Sequence, residues 1–229
     1  PGEYAFLRSL KEFSLLPDEA IQALASASNT ATFNTGEHVI RDGKHVDSGF
    51  IVMSGRVALL RKSRNGRELA VKLLGPGEVL GLFMTSGTAP AKFSARAHLP
   101  STVLWVAHSR FTELLNAYPA LYRDLSGQLL NSLYSISEIA RSLAHDRVEV
   151  RVASALSSLA LHFARPVMRG EEHVIDITRQ QLADLTGTTP ETVIRVTGAM
   201  QRDGLLNIKR HRIIKVLNLK ALQKVIEAH

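Results

Sequence analysis

Residues 178–202 read TRQQLADLTGTTPETVIRVTGAMQR, and the pattern of this stretch is the most informative in the chain. Its apolar spacing and its glycine predict a short helix over Arg179–Thr186, a turn at residues 187–189 and a second helix over Pro190–Arg202. Two helices joined by so short a turn must cross closely. The side chains at the crossing therefore decide whether the stretch is a helix-turn-helix.

Four residues meet the steric demands of a helix-turn-helix. Ala183 is small where the two helices cross, and Gly187 supplies the positive φ of a sharp turn. Val193 and Val196 lie on the side of the second helix that faces the first. Thr189 is a suitable N-cap, and it precedes a proline, which favours the first position of a helix. The alternative is an ordinary helical hairpin inside a protein core.

Two short apolar runs, residues 204–208 and 212–216, follow the second helix and flank a basic segment that contains Lys209 and Arg210. This pattern predicts a β-hairpin with a basic tip, a wing beside the second helix. Between Arg195 and Lys215 there are six cations and one anion. Cations on such a wing contact phosphates, which position a protein on DNA without reading its sequence.

Glu191 and Arg195 are four residues apart on the second predicted helix, so they share a face. One interpretation is an intrahelical salt bridge worth ~0.3–0.5 kcal/mol. The other is base readout, since arginine donates to O6 and N7 of guanine and glutamate accepts from the amino group of cytosine. Both can hold, because the pair would order the arginine before DNA arrives.

The composition of the chain fits a nucleic-acid partner and excludes several other classes. The 229 residues carry a net charge of +7, which favours polyanionic partners. There is no cysteine, so disulfides, cysteine-ligated iron–sulfur clusters, thiolate zinc sites and cysteine nucleophiles are excluded. No apolar run approaches the length of a membrane span, and no signal pattern opens the chain, so we expect a cytoplasmic protein without a membrane partner.

The sequence of the front of the chain is typical of short β-strands joined by turns. After short helices within residues 4–30, apolar runs are broken by glycine-containing turns at 35–37, 41–44, 53–56, 63–67 and 75–78. Asn65-Gly66 is the strongest hairpin signal. The pattern predicts an antiparallel, jelly-roll-like β-roll within an α+β fold. The predicted domains are the roll (1–117), a connecting helix (118–145) and the rear domain with the helix-turn-helix (146–229).

The connecting helix has a heptad pattern. From Tyr122 onward, steps of three and four residues alternate along it. Such a stripe predicts a dimer seam, although an amphipathic helix lying on the core of its own domain is the alternative. The seam positions are Leu125, Leu129, Ser132, Ile136, Ile139 and Leu143.

These features together resemble the CRP/FNR family of bacterial transcription regulators, over about residues 5–225. The motifs that carry the resemblance are Gly36-Glu37, Ser54-Gly55-Arg56-Val57, Gly77-Glu78-Val79-Leu80-Gly81, residues 178–183 and residues 191–195. The resemblance implies a cyclic-nucleotide-binding-type β-roll, a dimerisation helix and a winged helix-turn-helix. It also implies a homodimer that binds double-stranded DNA and contacts RNA polymerase through an exposed loop, such as residues 63–68.

Roles on DNA follow from the resemblance by position. Glu191 and Arg195 match the base-reading pair and imply a G·C pair in a TGA-like half-site core. Pro190 and Ile194 stand at two further base-reading positions where branches of the family have an arginine or a serine, so the outer bases stay open. The positions expected to contact phosphates are Thr178, Arg179, Thr189, Thr192, Lys209, Arg210 and Arg212.

The resemblance argues against cyclic AMP as the effector. Leu82 stands where the cyclic-AMP branch has a ribose-binding glutamate, and Lys92 falls near the place of its phosphate-binding arginine. Ile136 replaces the threonine that binds adenine, although Ser137 remains. The candidate effector pocket comprises Gly81, Leu82, Phe83, Lys92, Arg96, Leu133, Ile136 and Ser137.

Other effectors and other functions stay open at this point. A haem held by histidine would make the protein a CO or NO sensor, and the front half contains His38, His45, His98 and His108, none with a recognisable ligand spacing. Lys92 and Arg96 would suit a small organic acid, and a regulator without an effector is a further alternative. We expect no enzyme, because there is no nucleophile elbow, metal constellation or phosphate loop. A regulatory module that contacts only protein is the remaining alternative.

Overall fold

The computed structural model describes residues 2–81, 90–163, 165–166, 173–209 and 212–227. The helices are α1 (Gly2–Ser9), α2 (Asp18–Ser26), α3 (His108–Ala117), α4 (Ala120–His145), α5 (Val148–Phe163), α6 (Arg179–Thr186), α7 (Pro190–Arg202) and α8 (Leu219–Glu227), with a 3-10 turn at Lys11–Phe13. The strands are β1 (Ser28–Phe33), β2 (His38–Ile40), β3 (Ser48–Lys62), β4 (Glu68–Leu74), β5 (Val79–Leu80), β6 (Ser94–Ala107), β7 (Arg165–Pro166), β8 (His173–Asp176), β9 (Leu206–Lys209) and β10 (Ile213–Val216).

The chain divides into two compact units, which differ in architecture. The first comprises residues 1–62 and 71–136, and the second comprises residues 63–70 and 137–229. The predicted α+β fold with an antiparallel front sheet and a rear helix-turn-helix is confirmed. Over the part of the chain that the structure describes, no helix is long and apolar enough to cross a bilayer.

The first unit is built around two long antiparallel strands, β3 and β6. Their sheet runs in the order β1-β6-β3-β4, with β2 also paired to β6 and β5 to β3. Both faces of these strands are buried. Ile51 and Leu104 pack against α1–α3, whereas Phe50 and Val103 face the interior of the roll. Burial on both faces explains why residues 102–107 read as a continuous apolar run.

The predicted turn at residues 53–56 is wrong, because β3 continues through it. The register between β3 and β6 shifts here, and Gly55 has a φ of 80°. The Oγ of Ser101 accepts a hydrogen bond from the backbone N–H of Arg56 at 2.8 Å. A side-chain hydroxyl therefore satisfies the backbone group that the irregularity removes from the ladder, and the glycine marks a bulge and not a chain reversal.

Helix α4 turns part of the predicted seam toward its own unit. Leu125 is fully buried in a core cluster with Phe13 and Phe111. Ser132 is half-buried, and its Oγ lies 2.7 Å from the Nζ of Lys72 on β4. The assignment of Leu125 to the dimer seam is therefore wrong, since its side chain is fully buried in the protein's own first unit. The place of Ser132 in the seam stays a prediction.

Exposed apolar side chains of α4 form a stripe that is displaced around the helix from the predicted seam. Tyr122, Leu129, Leu133, Ile136 and Leu143 are the exposed large apolar residues of this stripe. Their spacing of three, four and seven residues still follows a heptad. Of the predicted seam residues, Leu129, Ile136 and Leu143 are exposed and Ile139 is half-buried, and Leu133 lies on the same stripe.

The second unit combines α5–α8 with a small antiparallel sheet of order β7-β8-β10-β9, and α5 and α7 contact that sheet. Helix α5 contacts α6, α7 and α8, and it is the central helix of this unit. Val152, Ala153 and Leu156 on α5 are fully buried. Strand β7 lies within residues 164–172, and the other residues of that stretch fall outside the described part of the chain.

Gly55→Ala is expected to destabilise the first unit strongly. A Cβ at this position would lie 2.0 Å from the carbonyl oxygen of Pro100, and the positive φ adds about 1–2 kcal/mol of strain. Gly36→Ala is the matched control, because Gly36 has a φ of 90° and nothing within 4 Å of the added atom. In urea unfolding, Gly55→Ala should cost at least about 2 kcal/mol more than Gly36→Ala. Equal costs would contradict a close approach of the two strands.

Candidate nucleic-acid interface

Each helix of the helix-turn-helix starts at a threonine cap. Thr178 Oγ1 accepts from the backbone N–H of Gln181 at 3.1 Å, and the Gln181 side chain accepts from the N–H of Thr178 at 2.9 Å. Thr189 Oγ1 accepts from the N–H of Thr192 at 3.3 Å. Thr178 and Thr189 were predicted to contact phosphates. Their hydroxyls fix where α6 and α7 begin.

The crossing of α6 and α7 is as tight as the sequence predicts. Ala183 on α6 and Val193 on α7 are fully buried, and Val196 is almost so. Gly187 ends α6 in the left-handed conformation, with φ 60° and ψ 40°. The backbone N–H groups of Gly187 and Thr188 both bond to the carbonyl of Ala183. The predicted bounds of both helices match the observed ones.

Because Val193 and Val196 face inward, the opposite side of α7 faces outward. Glu191 and Arg195 are exposed, and 55% of Ile194 is exposed although it is a large apolar residue. The backbone N–H of Glu191 and then the hydroxyl of Thr189 hold the pKa of the Glu191 carboxyl below its ordinary value. We call the side chains of Glu191, Ile194 and Arg195 the outer edge of α7. The edge combines a carboxylate, a methyl-bearing surface and a guanidinium, which suits base edges in a major groove.

Within this edge, Arg195 pairs with a residue that no local sequence signal indicates. Its two terminal nitrogens, Nη1 and Nη2, both lie 3.5 Å from Oε1 of Glu149, in the first turn of α5. Among the described residues, no ion pair joins Arg195 to Glu191. The interpretation that Glu191 orders Arg195 is therefore wrong, since α5 brings a closer carboxylate that is distant in sequence.

The wing forms as predicted, in the antiparallel strands β9 and β10. Lys209 is exposed at the end of β9, opposite Ile213. Arg212 donates from Nε to Oδ1 of Asp176 at 3.0 Å. Arg210 lies outside the described residues. Arg179, at the first position of α6, is half-buried, and its Nη1 has no hydrogen-bond partner within the described part of the chain.

A further arginine, which no sequence motif indicates, connects α5 to two other segments of this unit. Arg151 on α5 donates from Nε to the carbonyl of Thr186 at 2.9 Å and from Nη1 to the carbonyl of Asp146 at 3.0 Å. Arg141 binds both carboxylate oxygens of Asp146, at 3.1 and 3.3 Å. The hydroxyl of Ser142 and then Arg141 hold the pKa of Asp146 below its ordinary value. The junction between α4 and α5 is therefore fastened to the end of α6.

Two domain families match the chain. Residues 150–225 match the Crp-like helix-turn-helix domain, and residues 30–118 match the cyclic nucleotide-binding domain. Among curated relatives, electron transport regulator A of Shewanella oneidensis is 27% identical over 190 residues, 81% of this chain and 76% of that protein. The cAMP-activated global transcriptional regulator CRP of Pasteurella multocida is 24% identical, over 86% of this chain and 94% of that protein.

Solved structures of similar fold are also those of regulators. The c-di-GMP-responsive global regulator CLP of Xanthomonas campestris superposes with a TM-score of 0.75 at 25% identity, covering 88% of this chain and 99% of that one. A CRP/FNR family transcriptional regulator of Thermus thermophilus gives a TM-score of 0.72 at 26% identity, covering 87% of this chain and 98% of that one.

The chain belongs to the CRP/FNR family. It is a transcription regulator with a helix-turn-helix DNA-binding domain, and its relatives are regulators and not enzymes.

The predicted effector pocket of this CRP/FNR chain is described only in part. Leu82 and Phe83 lie outside the described residues. Lys92 is exposed, and Arg96 is half-buried on β6 opposite Ala58 and His38. Of the helical members, Leu133 and Ile136 are 59% and 41% exposed. Ser137 is exposed too, so these three side chains do not form an enclosed wall in the single chain.

Two other features bear on a ligand in this family member. Among the described residues, no group of three or more His, Cys, Asp or Glu side chains could hold a metal ion, although His98 and His108 are buried in the first unit. A groove of about 480 Å³ lies between α2 and α3, and Ala20, Leu24, Arg110, Leu114 and Tyr118 are among its lining residues. Of the predicted pocket residues that the structure describes, none is among the residues lining that groove.

Proposed function

We propose that the chain acts as a homodimer that binds a palindromic DNA site and reads a G·C pair in each half-site with Glu191 and Arg195. The observation that carries this proposal is the outer edge of α7, which stands in solvent while the opposite side of the same helix is buried. A helix with one edge exposed and beside a basic wing can enter a major groove. Lys209 and Arg212 would then contact the flanking phosphates.

Dimerisation supplies the second recognition helix. Two such helices read a palindrome when they enter successive major grooves, ~34 Å apart. The exposed stripe on α4 supports this arrangement, because large apolar side chains at heptad spacing on a solvent-facing helix suit a partner helix. The occupant we propose is a second copy of this chain, with Leu129, Leu133 and Ile136 central in the seam.

Control of DNA affinity would act at the junction that follows this helix. Arg141, Asp146 and Arg151 tie the junction to α6 through bonds that a small shift would rearrange. An effector bound in the β-roll would favour one of two arrangements of the recognition helices. Activation would then proceed through contact with RNA polymerase, and this role places the protein in the cytoplasm, where bacterial DNA lies.

Arg195→Ala is expected to cost about 1–3 kcal/mol of binding free energy and to relax the preference at one base pair of each half-site, because a bidentate contact to guanine is lost. The measurement is fluorescence anisotropy with a palindromic duplex that the wild-type protein selects from a randomised pool, and with its single-base-pair variants. Lys209→Ala is the control, and it should weaken all duplexes alike. An Arg195→Ala protein with unchanged affinity and unchanged preference would refute the readout.

Leu133→Arg is expected to break the dimer, because it buries a charge in an apolar seam. Tyr134→Arg is the matched control: Tyr134 is 62% exposed and Leu133 59%, but Tyr134 lies about 100° further around the helix, away from the stripe. Light scattering after size-exclusion chromatography should give the monomer mass for Leu133→Arg and the dimer mass for Tyr134→Arg. Dimers of both variants would show that the seam lies elsewhere.

Cyclic AMP is expected not to bind this protein with micromolar affinity. The proposal rests on Leu82, which offers no carboxylate for the ribose, and on Ile136, which offers no hydroxyl for the adenine. A shared fold does not carry the ligand over from the relatives, since ligand choice depends on such side chains. Isothermal titration of the purified protein with cyclic AMP should give no saturable heat, and a micromolar isotherm would overturn this proposal.

A further inference from the structure

The contact between Arg195 and Glu149 has a geometry that decides its role. Both terminal nitrogens of the guanidinium face the same carboxylate oxygen, each at 3.5 Å. A guanidinium can present two donors in parallel either through Nη1 and Nη2 or through Nε and one terminal nitrogen. Glu149 faces the first of these pairs, Nη1 and Nη2. The carboxylate therefore occupies one of the two donor pairs through which the arginine could reach guanine O6 and N7.

The wing provides a contrast within the same unit. Asp176 accepts from Nε of Arg212 at 3.0 Å, and among the described residues nothing bonds to the terminal nitrogens of that arginine. A carboxylate at Nε holds a guanidinium in place and leaves its outer donors to an acceptor such as a phosphate. Asp176 thus supports its arginine for DNA, whereas Glu149 covers the donors of Arg195.

The Glu149 contact is also weak enough to be exchanged. The Arg195 side chain is 66% exposed and that of Glu149 is 43% exposed, and 3.5 Å is long for a charge-assisted hydrogen bond. Water and salt reach both groups. A base that offers two acceptors can therefore displace Glu149, and a base edge that lacks them leaves the arginine where it is.

We propose that Glu149 competes with guanine for Arg195 and is a specificity-determining residue of the DNA-binding surface. This inference rests on the proposed readout by Arg195. In the free protein the ion pair holds the Nη1 and Nη2 donors, and reading guanine with this pair requires its transfer from carboxylate to base. Glu149 lowers the affinity for cognate DNA and has little effect where the base cannot receive the arginine.

The test compares Glu149→Gln with wild type on two duplexes. One is the palindrome that the wild-type protein selects, and the other has A·T in place of the G·C pair of each core. Glu149→Gln should tighten binding to the first duplex by a factor of about 1.4 to 5 per protomer, the range of exposed ion pairs. Binding to the second duplex should change no more than it does for Glu113→Gln.

Glu113→Gln is the matched control because Glu113 is also exposed and also pairs with an arginine, Arg110, at 2.9 Å, but within the first unit. It removes the same charge. A double-mutant cycle completes the design, since the gain from Glu149→Gln should vanish in an Arg195→Ala background. Thermal unfolding of each variant verifies that the second unit stays folded.

Three results would overturn the competition. A gain that persists in the Arg195→Ala background would mean that Glu149 only repels phosphates. An equal gain in affinity for both duplexes would also mean that Glu149 only repels phosphates. A loss or no change would mean that Glu149 supports Arg195 or has no role. If Arg195→Ala itself has no effect, the readout fails and this inference fails with it. If Arg195→Ala weakens binding while Glu149→Gln has no effect, only the competition fails.

Discussion

The close crossing of α6 and α7 depends on the small side chain of Ala183 and on the left-handed backbone of Gly187. A larger side chain at position 183 would separate the helices. A Cβ on residue 187 would meet Leu143 at 2.6 Å in a conformation that L side chains disfavour. Once the helices cross at this distance, Val193 and Val196 are buried, each burial contributing about 1.5–3 kcal/mol. The 3.6-residue period then places Glu191 and Arg195 in solvent.

Helix α4 likewise has one buried side and one exposed side. One side of this helix buries Leu125 in the first unit and accepts a hydrogen bond from Lys72 through Ser132, while an adjacent stripe is apolar and exposed. A helix that packs on its own unit by one side can still offer the other side to a second copy. In the proposed dimer the spacing of the recognition helices is therefore set by side chains that do not touch DNA.

Local signals predicted the helix-turn-helix to the residue. Capping threonines, Pro190 and Gly187 act within one or two turns, so their effect can be read from sequence alone. Contacts between distant segments could not be read in this way. The bulge at Gly55 depends on Pro100 and Ser101, and the partner of Arg195 comes from another helix, 46 residues away.

The predicted seam on α4 combines a local signal, which the sequence shows, with contacts to distant segments, which it does not show. A heptad pattern gave the correct helix and the correct period, but two adjacent stripes of the helix carry apolar residues at that period. Leu125 and Leu129 are four residues apart and differ completely in burial, because β4 and the front helices cover one stripe only. The choice between the stripes is made by the tertiary fold and not by the periodicity.

The proposed readout depends on Arg195 reaching a guanine edge in the major groove. Replacing that guanine in each half-site with 7-deazaguanine removes the N7 acceptor and leaves Watson–Crick pairing intact. The wild-type protein should bind the substituted duplex more weakly, and Arg195→Ala should show no further loss. Equal binding of the wild-type protein to both duplexes, or the same loss for both proteins, would contradict the proposed readout.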